Sequence, residues 1–257
     1  GTTRSLTSSE TTMEDTHAWV MKADGTGRVE IGKGIDNRQG APEWSADGRH
    51  VYFTVQDRGN VRLYRVPASG GAPDVVVNDR GSVGRWALAK DGTIAYSFTA
   101  PGAPSELYVR TASGPAARRA SAPNEAFLKT RAIADVESFT FKSFDGTEIE
   151  AFLTRPLSRS SGQTGGAAKS PMIVMIHGGP HGQQGPGFYA KSQIYAAQGW
   201  AALMVNYRGS TGYGQKLADA IFKDQNGGEA RDVVAGVDAA LAKYPWLDAD
   251  RLGVEGT

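Results

Sequence analysis

His177-Gly178-Gly179-Pro180 offers what acyl-transfer chemistry needs beside a scissile bond. Consecutive glycines let the backbone take positive φ and come close to a ligand. Their N–H groups, when not committed to a sheet ladder, can donate to an oxyanion as it forms on a carbonyl. An ordinary Gly-Pro loop has the same composition, so the surroundings must decide between the two. Just upstream, Met172 to Ile176 is an apolar run of strand length, the pattern of a strand buried on both faces of a parallel sheet. A second such run, Ala201 to Val205, empties into Asn206-Tyr207-Arg208-Gly209-Ser210-Thr211-Gly212-Tyr213-Gly214. Ser210, with His177 or His181 as base and Asp219 or Asp232 as acid, contains the residue types of a hydrolytic triad. Arg208 stands where a nucleophile turn needs its first glycine, which argues against that assignment. The glycines of the run also lack the Gly-Lys-Ser/Thr ending of a phosphate loop.

The elements that must position these residues read as an α/β sheet with a mixed edge. Ser138 to Lys142 and Glu148 to Thr154, joined through Asp145-Gly146, predict a hairpin, closed by Arg155-Pro156. Ser158 to Lys169 is polar and Gly/Ser-rich, as expected of a mobile surface loop. Phe188 to Gln198 has helical character and meets a C-terminal glycine at Gly199. Glu229 to Lys243 predicts the best helix, with Val233, Val234, Val237 and Leu241 on one face and Tyr244-Pro245 ending it. Leu252 to Glu255 is the last strand expected.

Residues 1 to about 130 are organised differently. Trp19-Val20, Leu63-Tyr64 and Leu107-Tyr108 recur at an offset of 44 residues. The same offset maps Asp47-Gly48 onto Asp91-Gly92, Tyr52 onto Tyr96, and Ala68-Ser69-Gly70 onto Ala112-Ser113-Gly114. A period in the low forties with β-rich runs divided by Asp-Gly turns marks propeller blades. Three units at most cannot close a ring, so a partial propeller is expected. Trp44 and Trp86 are read as blade packing, and His17 and His50 as strand residues.

The bulk composition narrows the function classes. The 257 residues can bury two modest cores, and a net charge of +1 argues against a nucleic-acid footprint. No apolar run approaches membrane-spanning length. The absence of cysteine rules out disulfides, thiolate metal sites and cysteine nucleophiles. No His/Asp/Glu cluster has metal-ligand spacing, and no cofactor motif is present. The compartment is left open.

Four stretches together resemble the prolyl oligopeptidase family of serine peptidases, in its acylaminoacyl-peptidase and dipeptidyl-peptidase-like branch. They are Ser143-Phe144-Asp145-Gly146 with Pro156 after it; His177 to Pro180; Asn206 to Gly214; and Gly228-Glu229 with Asp232, ahead of Asp250-Arg251-Leu252-Gly253. The resemblance implies a partial β-propeller over residues 1–131. It also implies the N-terminal part of an alpha/beta-hydrolase domain over 132–257, with the first five strands of an eight-strand sheet. Gly256 and Thr257 fit the first two places of a Gly-x-Ser-x-Gly-Gly elbow, so the nucleophile is expected immediately after Thr257, with the acid and histidine further on. On this reading the chain is a fragment without a complete site of its own.

The same resemblance gives Gly179 an oxyanion-hole N–H, with Gly178 and Pro180 shaping its loop and His177 structural. Arg208, Glu229 and Asp232 become ion-pairing residues that hold the nine-residue run against the following helix. Tyr207 and Tyr213 become pocket-lining or packing residues. The implied partners are a peptide substrate, admitted past the propeller as a size filter, and the rest of the protein completing sheet and propeller; a homo-oligomer is compatible with this. Esterase action on the same machinery, and a non-catalytic binding fragment, are the competing readings.

Overall fold

The computed structural model describes residues 2–4, 15–114, 116–157 and 169–256. The polar loop expected from Ser158 lies, except for Lys169, outside the described residues, as does Thr257. The 44-residue period becomes two four-stranded meanders. The first contains β4 (Glu43–Trp44), β5 (His50–Asp57), β6 (Asn60–Pro67) and β7 (Asp74–Val77), preceded by β1 (Thr2–Arg4), β2 (Thr16–Val20) and β3 (Val29–Glu30). The second contains β8 (Ser82–Leu88), β9 (Ile94–Ala100), β10 (Ala103–Arg110) and β11 (Arg118–Arg119). One parallel pairing, Val61 with Ser82, links the two.

Equivalent positions do equivalent work. Gly48 and Gly92 both take positive φ (69° and 82°) in Asp-Gly turns and donate to Ser45 and Ala89. Between the meanders, Leu63, Val77, Tyr96 and Phe98 form one buried cluster, and Trp86 packs on it beside Tyr52. Trp44 departs from the expected blade packing. It sits on the two-residue edge strand β4 and is 51% exposed, because only β5 covers it. The short helix α1 (Glu125–Leu128), which follows β11, carries no periodic pattern long enough to predict.

A five-stranded mixed sheet follows. β12 (Val136–Lys142) and β13 (Glu148–Thr154) are the hairpin, and β14 (Ser170–Ile176), β15 (Ala201–Asn206) and β16 (Leu247–Gly256) complete it. The spatial order is β12-β13-β15-β14-β16, with β14 parallel to both its neighbours and the hairpin antiparallel. Every residue of β15 is buried, as its unbroken apolar run requires, since both faces are covered. Ala201, Leu203 and Val205 face the core shared with α4 (Gly228–Lys243). Ala202 and Met204 face the opposite cluster, where Tyr195 of α2 (Ala190–Ala197) packs. The period of two along the strand thus splits one apolar run between two cores. α3 (Gln215–Asp219) fills the loop between β15 and α4.

Two details of the helices differ from the sequence expectation. α4 packs Val233, Val237 and Leu241 onto the sheet, but Val234 is 61% exposed. One residue advances the helix by about 100°, so a neighbour of Val233 is carried off the buried stripe. β16 starts at Leu247, earlier than Leu252, because Ser170 also pairs with Leu247 across a register shift.

Candidate active site

The loop after β14 and the end of β16 leave the sheet at the same edge. Ile176 lies beside Gly256 in the parallel register, so the loop that opens at His177 leaves the sheet beside the end of β16. Gly178 and Gly179 are both exposed there. Gly179 has φ of 138°, and a Cβ on it would lie 2.7 Å from the His181 nitrogen, so a side chain is excluded both by conformation and by space. The loop borders an open cleft of about 660 Å³, whose other wall is Tyr207, Ile221, Asn226 and the first turns of α4.

His177 anchors the base of this loop. Its ring stacks on Tyr207 with centroids 4.4 Å apart and planes 12° from parallel. The Tyr207 hydroxyl donates to the His177 carbonyl, and burial pushes that hydroxyl up to about 12. His177 Nδ1 lies 3.1 Å from the Gly178 carbonyl and Nε2 lies 3.0 Å from Ser210 Oγ. That arrangement assigns the proton to Nδ1, with Ser210 donating to Nε2. Histidine and serine therefore meet at the distance of a base and nucleophile, but Ser210 is fully buried. The other ring nitrogen faces a carbonyl and a phenol where a triad would need a carboxylate. The pair fixes the loop and cannot attack a substrate.

Burial lowers the pKa of His177 below its ordinary value. Well above pH 6.5 both folded and unfolded chains hold it neutral, and its contribution to stability is constant. As pH falls through the unfolded value, the unfolded chain takes the proton first, so stability drops until the depressed folded value is passed. The unfolding midpoint should therefore fall more steeply between about pH 7 and 5 in the unsubstituted protein than in His177→Gln. Equal slopes would mean that His177 is not held neutral by the fold.

The nine-residue run does two separate jobs. Arg208 forms a bidentate pair with Asp232, Nε to Oδ2 at 2.8 Å and Nη2 to Oδ1 at 2.9 Å, while its own N–H donates to Oδ2. Ser143 Oγ donates to Asp232 Oδ1 at 2.5 Å, and Asp145 pairs with Arg208 at 3.0 Å. Donation from Thr147, then Arg208, holds the Asp145 carboxyl down at about 2. Phe144 lies under the guanidinium groups of Arg208 and Arg231. This network ties the β12–β13 turn, the run and α4 together. Glu229 is not part of it. Its carboxylate accepts from the Asn226 and Gly227 N–H groups, amides at the start of α4 that the helix itself leaves free. Tyr213 is away from the cleft as well, donating to Glu150 Oε2 at 2.8 Å and accepting from Asn206 at 2.6 Å.

The second job, unforeseen from sequence, is a junction with the repeats. Asn206 exchanges two hydrogen bonds with Gln184, each 2.8 Å, in the manner of a backbone pair. Gln183 does the same with the β5–β6 turn, accepting from Gly59 N–H at 3.0 Å and donating to the Asn60 carbonyl at 2.8 Å. Arg58 N–H donates to the Gly212 carbonyl and Thr211 N–H to that of Gly182, both at 2.9 Å. Thr211 Oγ1 also bonds Gln56, and Asn37 accepts from Gly214 N–H at 2.9 Å. The turn residues Arg58-Gly59-Asn60 could be recognised as a turn, but nothing in their spacing names a partner more than a hundred residues away.

With this geometry in place, comparison with known proteins becomes informative. Residues 186–257 match the family model described as the prolyl oligopeptidase family. Over those residues the chain is similar to the prolyl oligopeptidase family. Among relatives, the uncharacterized peptidase YuxL of Bacillus subtilis is 30% identical over 223 residues, covering 86% of this chain and 33% of that protein. Dipeptidyl-peptidase 5 of Arthroderma benhamiae is 27% identical over 229 residues, covering 86% and 30% respectively. The chain thus spans about a third of the length of these curated relatives. The structure of Pyrococcus horikoshii acylaminoacyl peptidase superposes with a TM-score of 0.83 at 24% identity, over 95% of this chain and 37% of that one. Repeats followed by a mixed sheet is therefore an arrangement this chain shares with that solved structure.

Proposed function

We propose that the protein containing this chain is a serine peptidase acting on short peptides through an acyl-enzyme, in the manner of acylaminoacyl or dipeptidyl peptidases. The observation that carries this is the pairing of Ile176 with Gly256, which brings the glycine loop to the end of β16, where an elbow would start. In this reading the two meanders are blades of a propeller, and the five strands belong to an alpha/beta-hydrolase sheet. The residue after Thr257 is the nucleophilic serine. A histidine takes its proton as Oγ attacks the scissile carbonyl, and an acid orients that histidine. The tetrahedral oxyanion accepts from Gly179 N–H and from the N–H after the nucleophile. Collapse returns the proton to the departing amine, and water then hydrolyses the ester by the same route. The exposed backbone at Gly178-Gly179, at the sheet edge where β16 ends, supports this role.

The test uses the full-length protein and a fluorophosphonate, which loses fluoride to the attacking hydroxyl. Peptide mapping should find one modified serine, directly after Thr257, with hydrolysis of short peptide amides lost in proportion. Modification at Ser210, at another site, or at none would overturn the assignment.

A further inference from the structure

Arg38, in the repeats, reaches across the junction to the loop that carries Gly179. Its Nη1 donates to the His181 carbonyl at 3.2 Å, two residues beyond Gly179. Its own backbone carbonyl accepts from Gln56 N–H at 3.0 Å, which fixes the root of the side chain on β5. On the other side of the guanidinium, Nε lies 3.3 Å from Asp15 Oδ1. The Asp15 side chain is 1% exposed, and burial raises its carboxyl pKa while Arg38 opposes the rise. Asp15 is itself held by its N–H, which donates to Gln215 at 2.8 Å. The guanidinium is therefore constrained from two directions before it meets His181.

The receiving loop has little freedom of its own. Gly182 N–H turns back to the Pro180 carbonyl at 2.9 Å, and the Gly182 carbonyl is taken by Thr211. His181 lies two residues beyond Gly179 in the same tight loop, where even a Cβ added to Gly179 would lie 2.7 Å from the His181 nitrogen, so the two peptide units have little room to move independently.

We propose that Arg38 is a positioning residue for acyl transfer, holding the Gly179 amide in place through the His181 carbonyl. The inference rests on the oxyanion role given to Gly179 above. It implies that a residue of the β-repeats acts on the chemical step without touching substrate. Misplacing a transition-state donor by about 1 Å can cost on the order of a hundredfold in rate.

The experiment compares full-length wild type, Arg38→Gln and the Asp15→Asn/Arg38→Gln pair. The double variant removes the buried carboxylate that Arg38→Gln would leave uncompensated. The expected result is kcat on a short peptide amide lowered by about 10- to 100-fold in both variants, with KM within about twofold. The double variant should recover thermal stability relative to Arg38→Gln and still lack the lost kcat. Unchanged kcat in either variant, or kcat restored together with stability, would overturn the proposal. Should Arg38→Gln not fold, the double variant carries the test. Fluorophosphonate mapping of the wild type separates the two readings. Failure to label the residue after Thr257 removes the peptidase assignment, whereas correct labelling with an indifferent Arg38 removes only this proposal.

Discussion

Asp232→Ala should lower the stability of the protein by about 3–5 kcal/mol, the range for removing one partner of a buried ion pair. The carboxylate is fully buried, and it accepts from the Arg208 side chain, the Arg208 N–H and Ser143 Oγ. Alanine leaves the guanidinium, which is itself almost wholly buried, with only Asp145 as a charged partner. It also leaves a backbone N–H and a hydroxyl unsatisfied, each a desolvation cost with no return. Asp232→Asn keeps an acceptor but loses the charge, and its effect should be intermediate. Ser143→Ala, which deletes one donor and leaves the pair intact, should cost only about 1 kcal/mol. Urea midpoints of the three variants measure this order. A loss under about 1 kcal/mol in Asp232→Ala would show that the pair contributes little beyond what water would supply.

Gly185→Ala should cost more than about 3 kcal/mol, the upper end of ordinary overpacking penalties. A Cβ at Gly185 would lie 1.7 Å from the Gly59 carbonyl oxygen and 2.6 Å from its carbon. Neither obstacle is a flexible side chain that can rotate away. Gly59 has positive φ and is hemmed by Phe152, so the turn cannot retreat. Relief requires the loop and the β5–β6 turn to separate, breaking the Gln183 bonds to Gly59 and Asn60. Thermal unfolding of the full-length variant should show the loss, and Gly187→Ala, where the nearest atom is 3.3 Å away in the Thr99 side chain, provides the mild comparison. Equal midpoints for the two would mean that the backbones are not in contact.

Much of this architecture could be read from local pattern. The 44-residue offset aligns β5 with β9, and it aligns the turn glycines Gly48 and Gly92, because each meander is built from neighbours in sequence. The apolar run at β15 announces burial on both faces, and the four stretches of family resemblance fall where the α/β elements form. What was not legible depends on distance or on small angles. Val234 sits one residue off the buried stripe of α4, and an apolar residue there looks the same in sequence as one facing the core. Glu229 chose nearby helix amides over a plausible cation, a competition that charge alone cannot score. The junction escaped entirely. The contacts named above that cross to the repeats join residues 123 to 200 positions apart, and many involve main-chain groups that carry no residue-specific signal.

That last property bears on which changes the seam can absorb as the chain diverges. Where Arg58 N–H meets the Gly212 carbonyl, the chemistry belongs to the peptide unit. An inherited substitution at Arg58 leaves that donor in place, so selection on this contact has little purchase on the side chain. It acts instead on shape, at Gly59, Gly185 and Gly212, where an added methyl would meet the Phe152 ring, backbone or the Gln183 amide. A seam of this kind can stay fixed in geometry while most of the residues around it drift, and the record of its importance is kept by residues that have no side chain.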